Sequence, residues 1–180
     1  MGTSSAPTIG NNTVYVTING EKYYLLQYHF HYDSEHALDG RKYDMEVHLV
    51  HQSMTGKVAV IGVFIQKGQT NNPTLETIFN AAPAHESDTT SVTIANFNPS
   101  SLLPTNKSKY FTYSGSLTTP VTGLNLIAPY TDGLRWFVFG QPINVSNESY
   151  NHYTEVYEHP NARPLQPLGS RKVLAHNSGN

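Results

Sequence analysis

The chain has 180 residues, 38% of them hydrophobic, with a formal net charge of -2 and no cysteine. That length buries one sizeable core, so one domain is expected, and the near-neutral charge leaves no basic footprint for nucleic acid or an anionic membrane surface. Without cysteine there are no disulfides, thiolate nucleophiles or thiolate metal sites, and histidine is left as the strong candidate ligand for a transition metal. No apolar run is long enough to span a bilayer, and "MGTSSAPTIGNN" has neither the charged nor the apolar region of a signal peptide, so a soluble chain without a signal peptide is expected.

Hydrophobic alternation with period two dominates. It predicts strands over 13–18, 22–31, 43–51, 57–66, 109–113, 134–140 and 172–175, where β-branched and aromatic residues lie between turn signals. Asn19-Gly20 reads as a tight hairpin turn between the first two strands, and Asp39-Gly40 has the same chemistry before the third. Two helices are predicted. One covers 72–82, with Pro73 at an early position and Pro83 just beyond its end; the other follows Ser146 as cap over 147–158, with Tyr150, Tyr153 and Tyr157 on one face. The fold class is therefore mainly β, a large and mostly antiparallel twisted sheet with a few short helices. The expected organisation is a flexible segment 1–12, one domain over 13–176 and a short tail 177–180.

Five of the nine histidines fall within residues 25–52. Residues two apart on a strand share a face, so His29 and His31 project together with Gln27 one step behind, and Glu46, His48 and Val50 do the same on the following strand. If these strands are antiparallel neighbours, three imidazoles converge in the His₃ arrangement of a catalytic zinc site. Gln27 and Glu46 each lie two residues from a candidate ligand and can hold its other ring nitrogen. The plainer reading of any single strand histidine is a packed or surface residue. That reading is kept for His36 and His51, which have no same-face partner in this pattern. A competing pattern, H-x-H-x₃-E in "HFHYDSE", resembles the cupin metal motif with Glu35 as a ligand, although Gly20 and Gly40 miss the glycine offsets usual there.

The wider set of motifs resembles the α-class carbonic anhydrases: "QYHFHYDSEHALDGRKYDMEVHLVH", "VAVIGVFIQKG", "NFNPSSLLP", "YFTYSGSLTTP", "LRWFVFGQPI" and "NARPLQPLGSRKVL", in the family's order from about residue 10 to 176. The short spacing from His31 to His48 is more like bacterial members. The resemblance implies Zn²⁺ on His29, His31 and His48, with Gln27, Glu46 and the Asn161 backbone holding their outer nitrogens. It implies a gate of Thr118 and Glu35, and a carbon dioxide pocket of Val50, Val60, Leu117 and Trp136 with Thr119 nearby. The activity implied is reversible hydration of carbon dioxide to bicarbonate and a proton, open to sulfonamide- or anion-type inhibitors at the zinc, and family members are periplasmic or secreted. Three neutral imidazoles leave the metal its positive charge, which brings the pKa of bound water to about 7, and the apolar wall suits a substrate that makes few hydrogen bonds.

Three departures modify this expectation. The family's front segment, which carries further strands and the histidine proton shuttle, has no counterpart before the first hairpin. Either the chain is a fragment or engineered truncation, or it is a short form whose exposed sheet is covered by a partner chain or a second copy. Residues 121–128, "VTGLNLIA", resemble an insertion after the Thr-Thr-Pro motif, next to Thr118. Tyr32 stands where a tryptophan is often seen. Reduced or buffer-dependent turnover is therefore expected, and the alternative is a zinc-loaded but inactive domain with a structural or binding role.

Overall fold

Seven strands form one curled sheet in the computed structural model, which describes residues 14–68, 71–83, 93–95, 97–118, 133–156 and 159–177. They are β1 (Tyr15–Ile18), β2 (Glu21–Tyr32), β3 (Met45–Ser53), β4 (Val58–Gly68), β5 (Lys109–Gly115), β6 (Leu134–Ser146) and β7 (Leu174–Asn177), in the spatial order β1-β2-β3-β4-β6-β5-β7. Every neighbouring pair is antiparallel except β4 and β6, which run parallel. All seven predicted strands are present, Asn177 of the predicted tail 177–180 closes β7, and residues 178–180 lie outside the described residues. The predicted N-terminal segment 1–12 lies outside the described residues.

The turns form where the sequence placed them. Asn19 and Gly20 both take positive φ, 50° and 80°, which matches the right-handed twist of the β1–β2 hairpin; Asp39 and Gly40, at 52° and 79°, close a turn bridged by Leu38 and Arg41. β6 runs six residues beyond its predicted end at Gly140, in spite of Pro142. Its register against β4 slips between Val63 and Ile65, and this irregularity accommodates the Gly140–Pro142 stretch without ending the pairing.

The helix α1 (Pro73–Asn80) is capped by Asn72, whose side chain accepts from the backbone N–H of Thr74 at 2.9 Å and of Leu75 at 3.3 Å. The second helix, α2 (Asn147–Thr154), starts at the predicted cap: the Ser146 hydroxyl accepts from Ser149 N–H at 3.0 Å. It ends earlier than predicted, where β-branched Thr154 turns its hydroxyl back onto the Tyr150 carbonyl at 3.0 Å, and Tyr157 lies outside the described residues. Glu76 of α1 accepts from both the backbone N–H and the hydroxyl of Ser146, at 2.7 and 2.8 Å, which ties the helices together. A 3₁₀ turn over Pro99–Leu102, not predicted, carries buried Leu102 into the same layer. No helix among the described residues is long and apolar enough to cross a membrane.

Strand alternation divides the interior into two clusters. Phe30, Met45, Val47, Leu49, Ile61, Val63 and Ile65 face α1 and α2 and bury Leu75 and Phe79. Val50, Val60, Phe64, Trp136 and Val138 face the other way. A bulge in β2 decides which cluster receives the histidines. Leu25 pairs with His51, yet Gln27 pairs with Val50, so one extra residue is accommodated at Leu26. Beyond it, odd-numbered residues of β2 change face, and Gln27, His29 and His31 turn away from the helices.

Candidate metal centre

The antiparallel pairing anticipated for the two histidine strands is present, with His29 directly opposite His48 and His31 opposite Glu46. One potential ligand atom from each of His29, His31 and His48 lies within 4.8 Å of the others. The rings pack closely, with centroids 5.0 Å apart for His29 and His31, 5.3 Å for His29 and His48, and 4.6 Å for His31 and His48.

Hydrogen bonds select the nitrogens that remain for a metal. His29 Nδ1 lies 2.8 Å from Gln27 Oε1, so its N–H is donated there and Nε2 is left buried without a partner. His48 Nε2 donates to Glu46 Oε1 at 3.0 Å, which leaves Nδ1 on the side of the other imidazoles. His31 has both ring nitrogens buried and unpartnered. The Asn161 backbone lies close enough to favour its protonated form without completing a hydrogen bond, while the Asn161 side chain accepts from Tyr32 N–H at 2.8 Å and donates to the Phe30 carbonyl at 3.4 Å. Asn161 therefore clamps the β2 backbone on both sides of His31.

Burial, reinforced by the other imidazoles, brings the His29 pKa down to about 3 and that of His31 down to about 4. Both are neutral near pH 7, the form in which imidazole is a ligand. Buried nitrogens without partners are costly in a site with no further role, and here they point into one cluster. The donor set, three converging imidazoles of which His29 and His48 have their outer nitrogens engaged, fits a zinc ion.

Behind the cluster, Glu46 is fully buried. Burial alone would raise its pKa, but His36 and His48 outweigh that and hold the carboxyl well below its usual range. His36, read from the sequence as a packed residue with no same-face partner, is the larger contributor. Its backbone N–H donates to Glu46 Oε2 at 2.9 Å, its Nδ1 lies 2.6 Å from Oε1, and its Nε2 lies 2.6 Å from the Tyr113 hydroxyl. The departure from expectation arises because His36 sits on the turn after β2, where strand parity does not apply. Gly62 belongs to the same assembly. A Cβ there would lie 2.7 Å from Glu46 Oε1, so the carboxylate occupies the space a side chain would fill. A glycine inside the apolar run "AVIGVFI" was the available sequence signal for such a close approach. His51 does stay apart: it faces the helices and lies 2.9 Å from the Leu49 carbonyl.

Glu35 and Thr118 line one cavity. Glu35 Oε1 accepts from Arg163 N–H at 2.7 Å, whereas Oε2 is buried and unpartnered, so the Thr118–Glu35 hydrogen bond implied by the resemblance is not formed at that oxygen. Val50, Val60, Leu117 and Trp136 do come together in one apolar cluster, each no more than 8% exposed, and the Trp136 ring lies 4.8 Å from that of His48. Trp136 Nε1 donates to the Ser116 carbonyl at 3.0 Å and so anchors the segment leading to Thr118. Thr119 and the 121–128 insertion lie outside the described residues.

Known proteins share this chain's sequence and fold. A family model described as eukaryotic-type carbonic anhydrase matches residues 5–177, and the chain belongs to that family. A carbonic anhydrase from Nostoc sp. is 41% identical over 160 residues, covering 89% of this chain and 56% of its own length. Among solved structures, the α-carbonic anhydrase of Thermovibrio ammonificans in complex with the inhibitor sulfanilamide superposes with a TM-score of 0.79 at 39% identity, covering 91% of this chain and 67% of that one. Carbonic anhydrase Cah3 of Chlamydomonas reinhardtii, in complex with acetazolamide, gives a TM-score of 0.71 at 38% identity over 89% of this chain and 68% of that one. The chain thus spans little more than half the length of the Nostoc relative. Family membership overturns the cupin alternative, and Glu35 belongs to neither group of potential metal ligands found among the described residues.

Proposed function

We propose that the chain binds one zinc ion through His29 Nε2, His31 Nε2 and His48 Nδ1 and hydrates carbon dioxide reversibly to bicarbonate and a proton. The observation that carries this reading is the set of buried, unpartnered ring nitrogens on neutral imidazoles in a member of the carbonic anhydrase family. Zinc supplies Lewis acidity there, which lets water lose its proton near neutral pH.

The chain's own residues do the rest. Gln27 and Glu46 fix the tautomers of His29 and His48 by taking their outer N–H groups. Val50, Val60, Leu117 and Trp136 give carbon dioxide a wall free of competing hydrogen bonds. Thr118 accepts a hydrogen bond from the nucleophile and donates its own to Glu35, whose Oε2 has no other hydrogen-bond partner. Sulfonamides and small anions compete at the zinc. The complexes of the two solved relatives with sulfanilamide and acetazolamide support this class of inhibitor.

Turnover depends on external buffer. His36 is engaged with Glu46 and Tyr113, and His176 is stacked on Tyr110 at 4.6 Å with its Nε2 3.1 Å from the Thr112 hydroxyl, so neither is free to carry protons out. The test is stopped-flow hydration of carbon dioxide by the zinc-loaded chain at rising imidazole, with pH and ionic strength fixed. kcat climbs while kcat/KM stays level, and sulfanilamide abolishes both. A zinc-loaded chain with no hydration in any buffer favours a second reading, an inactive zinc domain. The observation on that side is the unmade Thr118–Glu35 bond.

A further inference from the structure

His31 is held in place differently from the other two imidazoles. Gln27 takes the outer N–H of His29 and Glu46 that of His48, whereas both ring nitrogens of His31 are buried without a hydrogen-bond partner. Glu35 Oε1 lies 3.5 Å from His31 Nδ1, too far for a good hydrogen bond, and it already accepts from Arg163 N–H. What fixes the His31 ring is its packing against His29 and His48, at 5.0 and 4.6 Å between centroids, and the backbone that carries it.

That backbone runs along an open stretch of sheet edge. β1 pairs with β2 no further than Tyr24, with one more bond from Leu25 N–H to the Val14 carbonyl, so beyond the bulge at Leu26 no strand among the described residues lies on that side of β2. The Phe30 carbonyl and the Tyr32 N–H come from residues two apart and face the same edge. Asn161 occupies it: Oδ1 accepts from Tyr32 N–H at 2.8 Å and Nδ2 donates to the Phe30 carbonyl at 3.4 Å. One side-chain amide thereby does what a peptide group of a neighbouring strand would do, from a segment, 160–168, that has neither helix nor strand. Two residues on, Arg163 N–H is bonded to Glu35 at 2.7 Å, so the segment is anchored at both ends of the His31–Glu35 stretch.

We propose that the Asn161 side-chain amide is a positioning residue for the metal centre: by pinning β2 on both sides of His31, it sets where that imidazole stands. The inference rests on the reading of His29, His31 and His48 as the zinc ligands and extends it to a side chain that gives no hydrogen bond to any of the three rings. Asn161 is exposed, so water can take over either of its hydrogen bonds, but water cannot fix the strand. Loss of the amide therefore loosens the ligand more than the fold.

The test compares the unaltered full chain with Asn161→Ala and with Gln166→Ala, which loosens the same segment at a bond to the Pro164 carbonyl that does not reach β2. Zinc affinity is read by competition with a chelating dye, stability of the metal-free chain from denaturant midpoints, and ring placement from the imidazole nitrogen resonances of the zinc-loaded, isotope-labelled chain. In Asn161→Ala zinc affinity should fall about fivefold, the worth of one ordinary hydrogen bond, with the midpoint nearly unchanged. The His31 resonances should move well beyond those of His29 and His48. Gln166→Ala should match the unaltered chain in all three readouts. Equal zinc affinity in Asn161→Ala and the unaltered chain overturns the proposal, as does an equal fall in Gln166→Ala or an equal displacement of all three histidines, either of which marks a general loosening. An unaltered chain that binds no zinc defeats instead the reading of the metal centre on which the proposal stands.

Discussion

One strand, β3, presents two environments. Met45, Val47 and Leu49 pack against the helix layer, while Glu46 and His48, between them in sequence, are as deeply buried on the opposite face. On the first face burial is favourable by itself, because it removes apolar surface from water. On the second it sets His48 against the β2 imidazoles, whose nitrogens have no partners, and is tolerated through hydrogen bonds such as that of His48 to Glu46 and, on the proposed reading, a metal. Stability therefore resides mainly on the helix face, and chemistry on the other.

The largest separation of the two should come from Phe79→Ala. Phe79 is fully buried against Phe30 and Tyr153, so the change should lower unfolding free energy by about 3–5 kcal/mol while the folded fraction keeps its zinc affinity. Denaturant titration with parallel zinc titration reads both quantities. Thr118→Ala should do the reverse. Zinc content and melting temperature stay close to those of the unaltered chain, and kcat/KM falls about a hundredfold, about 2.7 kcal/mol of lost orientation.

Smaller still is the effect of Gly62→Ala, whose Cβ would press on the Glu46 carboxylate and disturb its hold on His48. Zinc affinity should drop about tenfold by competition with a chelating dye, and an unchanged affinity would mean Glu46 has room to give way. The mildest test is of pH on the metal-free chain. Burial brings the His51 pKa down from 6.5 to about 4, so the unfolded chain binds more protons between those values. Stability is full above pH 6.5 and falls as pH drops toward 4, and His51→Gln should flatten part of that slope in denaturant midpoints.

The strands were legible because apolar alternation and turn chemistry agree at each of them, as at Asn19-Gly20. The histidine triad was legible for the same reason, since parity within 29–31 and 46–50 placed the three imidazoles on common faces. The bulge at Leu26 was not visible, because no glycine or proline marks it, although it sets which face the β2 histidines occupy. The partners of His36 were not legible because Glu46 and Tyr113 are ten and 77 residues away in sequence and meet it only through the turn and the sheet order. The parallel contact of β4 with β6 and the clamp of Asn161 on β2 are likewise long-range pairings with no local signature.

The central claim is that the second face holds a metal on three particular imidazoles. Zinc content of purified His48→Ala and His51→Ala chains, measured beside the unaltered chain after equilibration with zinc and removal of excess, tests it most directly. Both positions are buried histidines on the same strand, 1% and 2% exposed, and they differ in the face they occupy. The account predicts one zinc per chain in the unaltered protein and in His51→Ala, and little or none in His48→Ala. Equal zinc in the two variants would contradict it.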